Sequence, residues 1–367
     1  MIAGIFLVLI WLCLLLARGG FWRIRDTETG PTAAPPARRI AVVIPARNEA
    51  DVIGRAVASL VKQQCPGVLH IFLVDDHSED GTAECAGASE MLTVLRAGPL
   101  PPGWTGKLWA IAEGLQQAAA FEADFFLLTD ADIVHAPDNL ARLVARAERG
   151  GYDLVSLMVR LHCETFAEKM LIPAFVFFFF KLYPPAWIAS SRHATAGAAG
   201  GCMLIRRAAL ERIGGITSIR GEVIDDCALA RAVKGTGGKV WLGTTSATQS
   251  IRPYGSFGEI GRMISRSAFT QLGHSTIVLA GAMAGMLVAY ILPLLLLLTG
   301  NRWAGAAWAL MTLAYIPAVR FYRLSWLWAL ALPAVAVFFI GATIHSVIQY
   351  WRGRGGMWKG RVQDRRI

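Results

Sequence analysis

Three apolar runs each deliver a pair of carboxylates, and this pattern constrains the fold more than any other feature of the 367 residues. Ile71–Val74 leads into Asp75-Asp76, and Phe125–Leu128 leads through Thr129 into Asp130-Ala131-Asp132. More loosely, Val223-Ile224 leads into Asp225-Asp226. The first two runs read as buried parallel strands, and open α/β sheets bind ligands beyond the carboxyl ends of such strands. Acidic pairs converging on one crevice repel each other unless something cationic sits among them. A divalent metal carrying a diphosphate is the economical expectation.

Around these runs the sequence alternates strand and helix patterns. Ile40–Pro45 reads as a strand, Glu49–Gln63 as an amphipathic helix, Lys107–Ala120 as another helix and Phe125–Thr129 as a strand. Ser78–Thr82 reads as the opening of a further helix. That order predicts an α/β domain over 39–272, a mostly parallel sheet flanked by helices and joined by right-handed crossovers. A polar stretch at 19–38, with Pro31, Pro35 and Pro36, reads as an extended tether.

The hydrophobic fraction of 54% points to membrane segments as well. Met1–Ala17 is an unbroken apolar run followed by Arg18, Arg23 and Arg25. Charge after rather than before the run predicts an uncleaved anchor, at 1–18, whose C-terminal side faces the cytoplasm. Three apolar segments fill 277–350: Ile277–Thr299, Trp303–Val319 and Leu324–Ile348. The first and third reach the ~20 residues a spanning helix needs, and the middle one is marginal. Leu171–Tyr183 is short for a span and reads either as an interfacial helix at a lipid entrance or as a buried core helix. Three full crossings would put the basic tail, 351–367, on the far side of the membrane, against the positive-inside tendency. A re-entrant segment among them is the expected resolution.

The formal net charge of +10 does not point to nucleic acid, because the basic residues cluster beside apolar segments and no nucleic-acid-binding motif accompanies them. Anionic lipid headgroups are the better partner for Arg18–Arg25 and Arg352–Arg366. Six scattered cysteines without a Cys-x-x-Cys pair argue against zinc and fit reduced thiols.

Several residues carry candidate chemistry. Carboxylates at the end of Ile71–Val74 can accept hydrogen bonds from the base and ribose of a nucleotide, whereas Ser78 and Asp80 are explained by helix capping. Asp130 and Asp132 fall on one side of an extended chain, and hard oxygen ligands suit Mg²⁺ or Mn²⁺. Asp225-Asp226 opens a helix, at its positive end, where either an ordinary acidic first turn or a general base is expected. Gly200 and Gly201 close a small-residue loop, Thr195–Gly201, that either lets backbone approach a ligand or simply turns. Lys107 is a cation at a helix start, near phosphate or solvated. Arg262 and Arg266 share a helical face, toward a diphosphate or toward headgroups. Together these features point to nucleotide-sugar chemistry.

The chain resembles the family-2 glycosyltransferases of GT-A fold over Ile40 to about Leu272. The motifs are Val43-Ile44-Pro45-Ala46-Arg47-Asn48-Glu49, Val74-Asp75-Asp76-His77-Ser78, Thr129-Asp130-Ala131-Asp132 and Asp225-Asp226-Cys227-Ala228-Leu229. The resemblance implies a nucleotide-diphospho-sugar donor, a UDP-sugar foremost, contacted by Pro45, Arg47, Glu49, Asp75, Asp76, Lys107, Asp130 and Arg266. It implies Asp76 near the base, Asp132 on the metal with Asp130 beside it, Asp226 as catalytic base with Asp225 beside it, and Gly200-Gly201 facing acceptor and sugar. Processive members carry Gln-x-x-Arg-Trp, whereas Ile264-Ser265-Arg266-Ser267 keeps only the arginine, which favours single-sugar transfer to a lipid. Gly221–Arg231, Pro101–Lys107 and the tail Arg354–Arg361 look most like the hopene-associated glycosyltransferases of hopanoid gene clusters. That likeness implies a place in a hopanoid pathway, in the bacterial inner membrane with the catalytic domain cytoplasmic, and leaves the acceptor lipid open, because ceramide and carotenoid glycosyltransferases share the same layout.

Overall fold

The computed structural model describes residues 1–28 and 35–362. Part of the tether expected at 19–38 and the end of the basic tail lie outside the described residues. The chain opens with helix α1 (Ile2–Ala17), followed by β1 (Arg38–Ala46), α2 (Ala50–Val61), β2 (Gly67–Asp75), β3 (Leu92–Arg96), α3 (Gly106–Gln117) and β4 (Phe125–Thr129). Then come β5 (Ile133–Val134), α4 (Asn139–Gly150), β6 (Leu154–Arg160), α5 (Phe166–Leu182), β7 (Cys202–Arg206), α6 (Asp225–Gly235), β8 (Val240–Ser250) and α7 (Phe257–Ser265).

The eight strands form one sheet in the order β3-β2-β1-β4-β7-β6-β8-β5. Its first half is parallel, as expected, with β1 between β2 and β4. The second half is mixed: β7 runs antiparallel to both β4 and β6, and β5 antiparallel to β8. The antiparallel β7 has a direct consequence, because Cys202 pairs with Thr129. The loop entering β7 therefore lies at the same sheet edge as the carboxyl end of β4.

Burial explains the elements. β1 is buried from Ile40 to Ala46 with no alternation, as a central strand covered on both faces must be. α2 turns Val52, Ile53, Ala56, Val57 and Leu60 inward, a one-sided helical stripe. α3 crosses the other face so closely that a Cβ on Gly114 would fall 2.6 Å from Val43 Cγ1. Pro45, which lacks an N–H, lies just beyond the last β1–β4 pair, where no ladder bond to β4 is lost.

Three long helices follow: α8 (Thr276–Leu298), α9 (Arg302–Phe321) and α10 (Trp326–Trp351). Each is long and apolar enough to cross a membrane, and so by length and composition is Phe166–Ala189, in which a break at Tyr183-Pro184 separates α5 from the short helix Pro185–Ala189. Phe166–Ala189 is longer than the sequence suggested, and more than half of its apolar window is buried within the protein. At 16 residues α1 spans about 24 Å, less than a typical hydrocarbon core. It buries Leu7 and Trp11 inside the protein instead.

A π-helical turn at Leu287–Ile291 interrupts α8. Pro293 can neither donate to the carbonyl four residues back nor tolerate it sterically. That carbonyl, on Ala289, accepts from the Trp11 indole N–H at 2.9 Å. The defect thereby becomes the attachment point of α1.

Both ends of α10 touch the α/β domain: Trp328 packs on Phe166, and Tyr350 on Phe269 and, just beyond the domain's end, His274. The tail beyond α10 returns to that domain as well. Lys359 pairs with Glu49 and Arg361 with Asp76, so these two tail cations sit on protein carboxylates rather than being free for headgroups.

Candidate functional site

Sheet topology places the site. The chain builds β1, β2 and β3 to one side, then returns to lay β4 on the other side of β1. Such a reversal opens a crevice between the adjoining strand ends. Ala46 pairs with Asp75 in register, so Arg47, Asn48 and Glu49 stand beside Asp76, with Asp130 following β4.

The loops after β1 and β2 are tied together. Asn48 and His77 hold left-handed backbone, at φ +52° and +56°, a strain that persists only where surroundings enforce it. Asn48 Oδ1 accepts from Glu79 N–H at 3.0 Å, and Asn48 N–H donates to Ser78 Oγ at 2.9 Å. Asp75 accepts from the backbone N–H and the hydroxyl of Ser78. Asp80 accepts from Ala50 N–H at 3.0 Å and Thr82 N–H at 3.1 Å, while Gly81, rather than Ser78 or Asp80 as the sequence suggested, is the N-cap of the short helix Thr82–Cys85. Asp76 is 1% exposed. Its carboxylate accepts from Arg361, and its carbonyl accepts from Arg47, whose guanidinium lies 3.8 Å from the carboxylate.

The other half of the crevice is organised by Lys107, on the first turn of α3. Its ammonium lies 2.8 Å from Asp130 Oδ1 and 3.0 Å from Asp225 Oδ2. It is therefore neither solvated nor isolated. Burial disfavours this ammonium, but Asp130 and Asp225 outweigh burial and raise its pKa. Burial alone would push the Asp130 carboxyl up; Lys107 pulls it below its usual range, helped by Arg266 and Arg252.

Asp132, two residues on, moves oppositely. Burial and the Asp130 charge raise its pKa against Arg252 and the Ser250 hydroxyl. Asp132 Oδ2 accepts from Ser250 Oγ at 2.5 Å and lies 3.6 Å from Arg252 Nε. Asp130 and Asp132 therefore have different partners here.

Asp225 and Asp226 form the first turn of α6. Asp226 accepts from Cys227 N–H at 2.7 Å and from Gly200 N–H at 2.9 Å. Gly200 reaches this position because β7 is antiparallel, and a Cβ there would stand 3.3 Å from Lys107 Nζ. At Gly201 a Cβ would meet Ile133 Cδ1 at 3.2 Å, so the loop packs closely against β5 there. Burial and the adjacent Asp225 hold the Asp226 carboxyl up at about 6, against Lys107 and those two N–H groups. A carboxylate tuned this way is suited to take up a proton near neutral pH.

Mg²⁺ or Mn²⁺ fits this donor set. A cation beside Asp132 would relieve the repulsion that raises its pKa. Among the described residues no group of three or more His, Cys, Asp or Glu could hold an ion alone. Hard cations held through one or two carboxylates and a ligand's phosphates need no such group.

Sequence reasoning did not single out Arg252, Ser250, Trp358, Lys359 or Arg361 as site residues. Arg252 and Ser250 enter at the carboxyl end of β8, whose Ser250 pairs with Ile133 of β5 beside Asp132. A strand end was the available signal, but no acidic pair marked it.

Residues 41–214 match Glycosyl transferase family 2. An undecaprenyl-phosphate 4-deoxy-4-formamido-L-arabinose transferase of Yersinia enterocolitica is 34% identical over 131 residues, 34% of this chain and 38% of that protein. Its namesake from Klebsiella pneumoniae is 30% identical over 135 residues, 33% of this chain and 37% of that protein. The match thus spans well under half the length of these curated relatives. A mannosyltransferase from Pyrobaculum calidifontis, solved in complex with GDP-Man and Mn²⁺, superposes with a TM-score of 0.53 at 20% identity, covering 93% of this chain and 99% of that one. This likeness establishes the architecture. Residues 41–214 form a family-2 glycosyltransferase domain, and the catalytic fold is GT-A.

Proposed function

We propose that this chain moves one sugar, with inversion, from a nucleotide-diphospho-sugar to a lipid hydroxyl at a membrane surface. The observation that carries the reading is Asp226, held up at about 6 at a helix N-terminus beside the Lys107–Asp130 pair. In this reading the acceptor hydroxyl gives its proton to Asp226, and its oxygen bonds to the anomeric carbon. The bond from that carbon to the diphosphate oxygen breaks on the opposite face. Lys107, Arg252 and Arg266 place positive charge near the departing diphosphate. Bound by Asp132, with Asp130 beside it, Mg²⁺ or Mn²⁺ would supply further neutralisation of that charge.

Pro45, Arg47, Glu49, Asp75 and Asp76 are read as the nucleoside end of the donor site, with UDP as the nucleotide. The GDP-Man in the Pyrobaculum complex makes guanine the second base to try. Four candidate spans and the apolar α1 favour a membrane location, read as the bacterial inner membrane with the catalytic domain cytoplasmic. The acceptor is read as a hopanoid, on the likeness of Pro101–Lys107, Gly221–Arg231 and the tail to hopene-associated enzymes. The names of the curated relatives favour a second reading, a polyprenyl phosphate. That acceptor is already ionised and needs no base, so Asp226 argues for a hydroxyl.

Lipid mass spectrometry with labelled donor, comparing cells with and without the gene, tests the reading. A polycyclic triterpenoid gaining one hexose is the expected product. A labelled polyprenyl phosphate would replace the acceptor, and no labelled lipid would overturn the assignment.

A further inference from the structure

The C-terminal tail makes contacts that sugar transfer does not require. Beyond Trp351 the chain returns over the crevice and closes a hairpin in which Trp358 and Arg361 exchange backbone hydrogen bonds of 2.9 Å. Between them Lys359 and Gly360 have φ of +45° and +83°, a pairing that two-residue hairpin turns of type I′ require.

Three side chains of this hairpin reach the strand ends. Arg361 Nη1 spans both oxygens of Asp76, at 2.8 and 2.7 Å. Lys359 Nζ lies 2.9 Å from Glu49 Oε1 and donates to the Asn48 carbonyl at 2.9 Å. Arg47 Nε donates in return to the Lys359 carbonyl at 3.3 Å. Trp358 covers the start of α3, where a Cβ on Gly106 would fall 2.9 Å from its ring and 3.2 Å from Asp76 Oδ2.

We propose that this hairpin is a strap occupying the nucleoside end of the donor site, and that it leaves before the donor binds. The proposal rests on the donor-site reading given above. A nucleoside offers a carboxylate neutral N–H and O–H donors, whereas Arg361 already covers both oxygens with a charged one. The flat indole fills space against a glycine, as a stacked base would. Lys359 and Arg361 keep 26% and 27% of their side chains exposed. Their carboxylate partners are buried, Asp76 at 1%, so the strap can leave only where the donors of an incoming ligand take over those carboxylates.

Binding of UDP and GDP in the presence of Mn²⁺ tests the strap, by calorimetry on the full-length detergent-solubilised protein and on its Arg361→Ala and Trp358→Ala variants. Thermal unfolding checks that each variant is folded. If the strap holds most molecules closed, apparent affinity for one nucleotide rises at least about fivefold in either folded variant. Unchanged affinity overturns the strap. Weakened affinity also overturns it, and makes Trp358 and Arg361 part of the nucleotide pocket. If wild type and both variants bind neither nucleotide, the donor-site reading itself fails and the strap with it.

Discussion

The two ends of the crevice are charged in opposite ways. At the Asp76 end two carboxylates draw on two cations each: Arg361 and Arg47 attend Asp76, while Lys359 and Arg252, the latter shared with Asp132, attend Glu49. At the Asp226 end, among the described residues, Asp130 and Asp225 divide the one ammonium of Lys107, and the hydrogen bonds to Asp226 come from backbone N–H groups. The cations at the first end come partly from a tail more than 280 positions away in sequence. Such contacts can be withdrawn without disturbing the sheet. The deficit at the second end is built into α3, α6 and the strand ends, where burial first and the neighbouring carboxylates second raise both Asp132 and Asp226. Surplus negative charge that the chain does not cancel is where a divalent ion and a proton acceptor have physical reason to act.

Removing Lys107 is the strongest way to break this comparison. Lys107→Met would leave Asp130 and Asp225 facing each other unpaired. Because Asp130 keeps 37% of its side chain exposed, the expected destabilisation is about 2 kcal/mol, below that of a fully buried pair. Denaturant unfolding measures it, and a loss near zero would show that solvent already screens the cluster.

The pH dependence is the next largest effect. In the proposed role Asp226 acts unprotonated, and its pKa is raised to about 6. kcat/KM should therefore fall about tenfold per pH unit below that value and level off above it. A flat profile from pH 5 to 8 would remove Asp226 from the proton-accepting role.

The smallest effect sharpens the contrast. Glu49→Gln removes the charge but keeps the shape of a side chain only 10% exposed, and its partners Arg252 and Lys359, at 31% and 26%, can turn to water. Its cost in unfolding free energy should stay under about 1 kcal/mol. A larger cost would place the two ends of the crevice on equal footing.

Much of the catalytic half of the chain was legible because its signals are local. Phe125–Leu128 is an uninterrupted apolar run leading through Thr129 into acids, and Phe125–Thr129 forms a strand. Asp225-Asp226 ahead of Leu229 and Val233 announced a helix start, and α6 begins there. Strand direction was not legible. Cys202–Ile205 reads the same whichever way it runs, so neither the antiparallel β7 nor the approach of Gly200 to Asp226 could be foreseen. The tail was misleading for a different reason. Basic residues after an apolar helix ordinarily signal headgroups, and nothing local links Arg361 to Asp76. Its docking bears on the side conflict raised by three crossings, since both ends of α10 and the tail lie against the catalytic domain.

The most direct test of the central claim is single-turnover transfer from labelled nucleotide-sugar to membrane lipid by Asp226→Asn, with donor binding measured on the same preparation. Loss of the general base predicts a rate lower by about 10²–10⁴-fold, with donor affinity little changed. Turnover near the wild-type rate would contradict the account.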